Sequence, residues 1–408
     1  MSKQKQPFLA RVAWLFSGLF LAQVINLIFA FILPRIYQPD QFAVFGIFLS
    51  TVLIFFEISN LKLDQALMLP KDMNESIYIL SQALKSAFVI SLLILIFWTL
   101  YVLSPYYQDT YRTLAWLPWS ILLQGLIQPL LSFSNRMEHY KMINISKVGQ
   151  ALSTGLVSCI PFFLRDGSIY LVQGFVAGQL VAVIILIVGN YTYLKKIPSL
   201  PTFSLSSYLQ FPRYGTWSSL LHSTSRNSVV YILNIFFTPQ IVGLYTFTNR
   251  LVQAPLGLIT SSIGQAYFRE ASLSTDKDAI RVLTHKIQKI LMQLALIPIV
   301  LALFAGPEIF SFLFGEEWRE AGHIARYLSL WYGTTLVVTP LSMLIDARKK
   351  LKWELGYHIV FIFIRISLLI FSSYYLSFAW VMIIFCGVSV FFNLYLLLYI
   401  NKLARHGN

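Results

Sequence analysis

Charge is scarce in this sequence. Asp, Glu, Lys and Arg make up 12% of its 408 residues, about half the share of an ordinary soluble protein, which excludes a soluble enzyme and a disordered chain. Cysteine is scarcer still: Cys159 and Cys386 lie in separate apolar stretches, so neither a disulfide framework nor a thiolate metal site has a spacing to rest on. A Gly-rich phosphate loop, an HExxH pair and paired metal ligands are missing too, and ATP-driven or metalloenzyme chemistry is left without support. No cofactor and no metal are expected. What fills the chain instead is hydrophobic residues, at 57%. A hydrocarbon core about 30 Å thick takes roughly 20 apolar residues per helical crossing, so there is room for about a dozen crossings and almost none for a soluble domain.

Twelve apolar runs can be read, at 12–33, 42–61, 80–103, 113–133, 146–164, 168–190, 214–237, 241–264, 288–306, 324–346, 354–375 and 377–400. The first follows Lys3, Lys5 and Arg11 as a secretory signal would. It is too long for such a signal and no small-residue cleavage site follows it, so it is read as a retained helix. The expected fold is an all-α integral membrane protein of about 12 transmembrane helices. With both termini placed in the cytoplasm, 23 of the 31 Lys and Arg fall on that side and only Arg35, Arg112, Arg165, Arg319 and Arg326 on the other, as orientation by basic loops requires. The net charge of +14 is then a topology signal facing anionic membrane lipid, and nucleic acid is not a partner.

The chain also repeats itself. PDQFAVF from Pro39 matches PQIVGLY from Pro239, and Gln128-Pro129-Leu130 before Arg136 matches Thr339-Pro340-Leu341 before Arg348. Six crossings per half give both halves the same orientation, which implies two parallel-repeat lobes. They are expected at 1–195 and 214–408, joined by a cytoplasmic linker, 196–213, that holds Pro198, Pro201 and Pro212.

FILPRIYQPDQFAVFGIF after the first helix, GLYTFTNRLVQAPLGLITSSIGQAYFREAS through the eighth and FLFGEEWREAG before the tenth resemble the bacterial oligosaccharide flippases of O-antigen and capsule assembly. Those form the polysaccharide transport branch of the multidrug/oligosaccharidyl-lipid/polysaccharide (MOP) exporter superfamily. The resemblance implies two six-helix lobes around a central cavity in the bacterial inner membrane. It also implies transfer of an undecaprenyl-diphosphate-linked oligosaccharide from the cytoplasmic to the outer leaflet by alternating access without ATP. The partners that follow are that lipid-linked sugar, membrane lipid, a coupling cation (H+ or Na+) and other polysaccharide-assembly membrane proteins.

The residues themselves show costly groups at membrane depth. Arg226 lies about twelve residues into the seventh run, near the bilayer midplane, with Ser219 and His222 on its face by helical spacing. Arg250 in the eighth run shares a face with Gln253, beside Asn249, and the repeat places Asn26, with Gln23, opposite Arg226. An arginine at the membrane centre costs roughly 2.5 to 3.5 kcal/mol on insertion scales, so these faces should line water or be paired. Under the resemblance, Arg226 and Arg250 bind the diphosphate, whose oxygens match the planar guanidinium fork, and Asn26, Gln23, His222, Asn249 and Gln253 bind sugar hydroxyls. The alternative is ion pairing, for which Glu57 is the only intramembrane acid, against three arginines including Arg365. Glu57 itself is read either as a cation-coupling carboxylate or as a salt bridge that locks helices. Two other functions compete: a multidrug cation antiporter of the same superfamily, which would want an acidic cavity, and a membrane-embedded polysaccharide polymerase. The polymerase would need a sizeable loop, and the longest outside connection, about 304–323, spans only some twenty residues.

Overall fold

The structure, a computed structural model, describes residues 8–70, 72–105, 109–161, 167, 169–197, 203–209, 211–273, 276–348 and 350–406. Regular structure among them is wholly helical, and twelve helices are long enough to matter at membrane scale: α1 (Phe8–Ile32), α2 (Pro39–Ser59), α3 (Met73–Val102), α4 (Leu117–Arg136), α5 (Tyr140–Ser158), α6 (Ile169–Leu194), α7 (Thr216–Phe236), α8 (Pro239–Leu273), α9 (Lys277–Phe314), α10 (Arg319–Ala347), α11 (Leu351–Tyr375) and α12 (Phe378–His406). Each expected apolar run falls on one of them, in order. Nine are both long and apolar enough to cross a membrane. The other three, α5, α7 and α8, have the length but carry more polar residues, and α7 and α8 are the helices that hold Arg226 and Arg250.

Two helices start earlier than their apolar runs. Asp72 caps α3 by accepting the Asn74 N–H (3.1 Å), and Asp276 caps α9 by accepting the Asp278 N–H (2.9 Å). Such a cap satisfies an amide that the first turn leaves open, so the amphipathic stretches before residues 80 and 288 join their helices as continuous turns. The expected twenty-residue outside connection shrinks as well, because α9 runs to Phe314 and α10 begins at Arg319. Gly306-Pro307 reads as a breaker, yet a Cβ on Gly306 would lie 2.8 Å from the Gly322 carbonyl oxygen. The glycines let α9 and α10 meet backbone to backbone there, and that packing carries the helix through the proline.

The chain divides into two compact units, Met1–Tyr37 with Val44–Ser228, and Gln38–Ala43 with Val229–Asn408. In the first, α5 packs on α1 and α6, and α4 packs on α3 and α6. Gly174 and Gly178 make the α5–α6 contact close, since added Cβ atoms would fall 2.7 Å from the Thr154 and Gln150 carbonyl oxygens. One core of this unit gathers Leu67, Ile79, Leu80, Phe133 and Leu186. In the second unit α10 is the central helix, packed on α8, α9 and α12, with α11 on α12, around Leu291, Leu336, Leu341, Leu344 and Ile400.

The repeat is visible in this packing. The pairs α3/α4, α4/α6 and α5/α6 recur six helices later as α9/α10, α10/α12 and α11/α12. Gln179 of α6 donates to Gln124 of α4 (3.2 Å), and Asn393 of α12 donates to Thr335 of α10 (3.1 Å). Gln124 and Thr335 correspond under the same offset that aligns Pro129 with Pro340. The first turn of α2 belongs to the second unit, where its Pro39 carbonyl lies over Gly243 at the start of α8, and Phe42 packs edge-on against Phe247 and Trp318.

Candidate functional site

Arg226 is the eleventh of the 21 residues of α7, about 15 Å from either end. Its side chain is exposed. Trp217 and Ile235, which lie nine residues before and after it, are 62% and 73% exposed. Nine residues at 100° each place a side chain on the opposite face, so these two exposed apolar side chains and the guanidinium lie on opposite faces of the helix. The helix is further tied at mid-length by Ser223, whose hydroxyl donates to the Leu53 carbonyl of α2 (2.8 Å), while Asn227 donates back to the Ser223 carbonyl (2.8 Å). Ser219 sits on the expected face, and the His222 side chain lies outside the described residues. On α1, Gln23 is half-buried and Asn26 exposed.

In the second unit α8 brings three of the expected residues together. Arg250, half-buried, follows Asn249. Gln253 donates to Asn249 Oδ1 and to the Tyr332 hydroxyl, both at 3.1 Å, and Tyr332 itself donates to Asn249 Oδ1. Tyr332 of α10 is thus the hub of the cluster. Sequence reading passed over it because a tyrosine inside an apolar run counts as one more hydrophobic residue.

Arg365 finds a different solution. It is 4% exposed, at the fifteenth residue of α11, with its guanidinium carbon 4.1 Å from the ring centre of Phe385, 4.4 Å from that of Trp331 and 5.3 Å from that of Phe361. Ring faces carry negative quadrupole charge and attract a cation, by about 2 kcal/mol or more when water is excluded. Trp331 in turn stacks on Tyr332 at 4.7 Å.

The sequence profile of the polysaccharide biosynthesis protein family matches residues 32–323. The chain belongs to that family. No curated protein sequence matches it. Solved structures do resemble it. An inward-facing multidrug resistance MATE transporter of the MOP superfamily superposes with a TM-score of 0.71 at 12% identity over 94% of each chain. The lipid II flippase MurJ, in an inward closed conformation, gives 0.72 at 15% identity over 94% of this chain and 87% of its own. A MOP superfamily transporter from Pyrococcus furiosus gives 0.63 at 10% identity over 97% and 95%. At such identities the likeness establishes the fold: this polysaccharide biosynthesis family member is a multi-pass membrane protein with the fold of the MOP transporters and flippases.

Glu57 stands two residues before the end of α2, and its Oε2 is 2.6 Å from Lys62 Nζ, with both side chains less than one-fifth exposed. The ion pair lies within one turn of chain. Sequence reading weighed Glu57 only against the arginines, because Lys62 sits beyond the apolar run and is brought back by left-handed backbone at Leu61 (φ 52°) and Lys62 (φ 56°). Among the described residues no three His, Cys, Asp or Glu side chains converge as a metal site would require.

Proposed function

We propose that this protein flips an undecaprenyl-diphosphate-linked oligosaccharide from the cytoplasmic to the outer leaflet of the bacterial inner membrane. Movement would be by cation-coupled alternating access of lobes 1–195 and 214–408, in O-antigen or capsular polysaccharide assembly, with both termini cytoplasmic. The observation that carries the reading is Arg226: an exposed arginine at mid-helix, on the face opposite the exposed Trp217 and Ile235 of α7, in a member of a polysaccharide biosynthesis family. A permanent cation in an apolar slab suits a ligand that brings permanent negative charge with it, and a guanidinium matches phosphate oxygens in pairs. Arg250 is assigned the same role. Asn26, Gln23, His222, Asn249 and Gln253 are assigned to sugar hydroxyls, and Glu57 to coupling. A multidrug cation antiporter would gain nothing from arginines at these depths, although one relative of this fold is a multidrug resistance transporter.

The test is complementation of a flippase-deficient strain, with membrane levels of each variant measured. Arg226→Ala and Arg250→Ala should insert and abolish surface polysaccharide, while the lysine variants keep the charge, lose the fork and retain part of the activity. Well-inserted alanine variants that restore the polysaccharide would refute the assignment.

A further inference from the structure

We propose that Asp64 is a proton-binding group, and that the proton it takes up sets the position of the segment leading into α7. The proposal deepens the coupling part of the transport reading and rests on it for its purpose, since the coupling cation would then be H+.

The geometry begins at the inner end of α2. Leu61 and Lys62 both adopt left-handed backbone, which is unfavourable for a non-glycine residue and persists only where surroundings enforce it. Asn60 supports the turn by accepting the Lys62 N–H (3.0 Å), and the turn delivers Lys62 to Glu57 at 2.6 Å. Asp64 follows at once, in a short helical turn, Leu63–Ala66, and is 7% exposed. Backbone amides at Asp64 and Gln65 reach its carboxylate, yet Oδ1 is buried without a hydrogen-bond partner among the described residues. Two carboxylates therefore share one ammonium, and that ammonium is committed to Glu57. One added proton makes the trio neutral and turns the idle oxygen into a hydroxyl.

Among the described residues no neighbouring charge is hydrogen-bonded to that oxygen. The turn packs against α3, α4 and residues 211–215. From α3, Glu75 accepts from the Tyr208 hydroxyl (3.0 Å); from α4, Arg136 donates to the Leu67 and Pro70 carbonyls (3.0 and 2.6 Å); from 211–215, Arg213 is exposed. Burial is the largest influence on the Asp64 carboxyl and pushes its pKa up, with Lys62 opposing and Glu57 adding to the rise.

The same lysine touches the next element. A Cβ on Gly215 would rest 3.8 Å from the Lys62 Cβ and Cγ, so the lysine stem faces the last residue of Phe211–Gly215 at a side chain's distance. That segment is a π-helical turn, a rare form that is frequent at functional sites, and it runs directly into the helix that holds Arg226. When Asp64 ionises, Lys62 is drawn between two acids and its stem must move against that turn.

The experiment uses the full chain in lipid nanodiscs, with both native cysteines replaced and a bimane probe on Leu209→Cys, a position 56% exposed beside the turn. Emission should follow a one-proton transition whose midpoint lies above the ordinary aspartate range, with the same midpoint in sodium and in choline buffer. Asp64→Asn should hold the acid-side signal throughout, and Asp64→Glu should keep the transition with a displaced midpoint. Stability follows the same sign: the folded chain holds this proton more tightly than the unfolded chain, so wild-type stability is full below the unfolded pKa and falls as pH rises through the folded one, a fall that Asp64→Asn should lack. An unchanged midpoint in Asp64→Asn, or in Asp64→Glu should the first variant fail to fold, would overturn the proposal, as would a midpoint set by sodium. No transport enters this readout. A titration present without flipping would break the transport reading alone, and flipping without the titration would break the Asp64 assignment alone.

Discussion

Removing Trp331 should hurt this protein far more when Arg365 is present than when it is not. In the native chain Trp331→Leu takes away both packing and one face of the aromatic cage around a guanidinium that is 4% exposed. In an Arg365→Met background the same change takes away packing alone. The difference between the two losses is the coupling energy, and for a desolvated cation 4.4 Å from a tryptophan ring it should be about 2 kcal/mol, a factor of roughly thirty in the unfolding constant. Arg365→Met by itself should be close to neutral, because exchanging a buried charge for an apolar side chain of similar length removes a desolvation cost along with an attraction. The assay is equilibrium unfolding of the four proteins in mixed micelles of a mild detergent and dodecyl sulfate, followed by loss of near-ultraviolet ellipticity. Losses that add to within about 0.5 kcal/mol, the level expected of independent sites, would show that the rings only fill space around Arg365.

The other expectations concern packing and orientation. A Cβ at Gly243 would sit 1.5 Å from the Pro39 carbonyl oxygen, whereas nothing lies within 4 Å of one at Gly257 on the same helix. Gly243→Ala should lower the melting temperature by an overpacking cost of about 1 to 3 kcal/mol or more, and Gly257→Ala should leave it unchanged or raise it; equal melting of the two would refute the contact. Cysteine probes should react from the cytoplasm only at Lys352→Cys and from outside only at Glu317→Cys, both exposed positions, and reversed labelling would overturn the orientation read from the basic loops.

The helices were legible because lipid imposes one demand, a sustained apolar run, and composition answers it directly. Capped ends were less so. The turns added to α3 and α9 are amphipathic, and only Asp72 and Asp276, in their capping geometry, mark where those helices begin. The end of the ninth run at residue 306 fell short for a related reason: the helix continues through Gly306-Pro307 because it packs against a glycine on another helix, Gly322, which lies sixteen residues away. Among the candidate residues, the Asn249–Gln253 pair could be anticipated from helical spacing, whereas its partner Tyr332 comes from α10. Contacts between helices leave no trace in the spacing along either one.

Arginine placement shows the limit most clearly. In the sequence Arg226 and Arg250 stand on polar helix faces and Arg365 does not, but spacing along one helix does not say what surrounds each of them. The structure separates them by surroundings: Arg365 is enclosed by Phe385, Trp331 and Phe361, Arg250 is half-buried beside a polar cluster, and Arg226 is exposed. A guanidinium held between aromatic faces has much of its charge already answered, so a ligand could reach it only by displacing rings that also form the core. The same physical cost of charge in lipid is met differently in the two helices: aromatic rings within about 6 Å enclose the cation of α11, whereas the arginine of α7 is the one we propose meets the ligand. Aromatic residues are counted as hydrophobic in any reading of composition, so the feature that distinguishes a structural arginine from a binding one was hidden among the residues that identified the membrane spans.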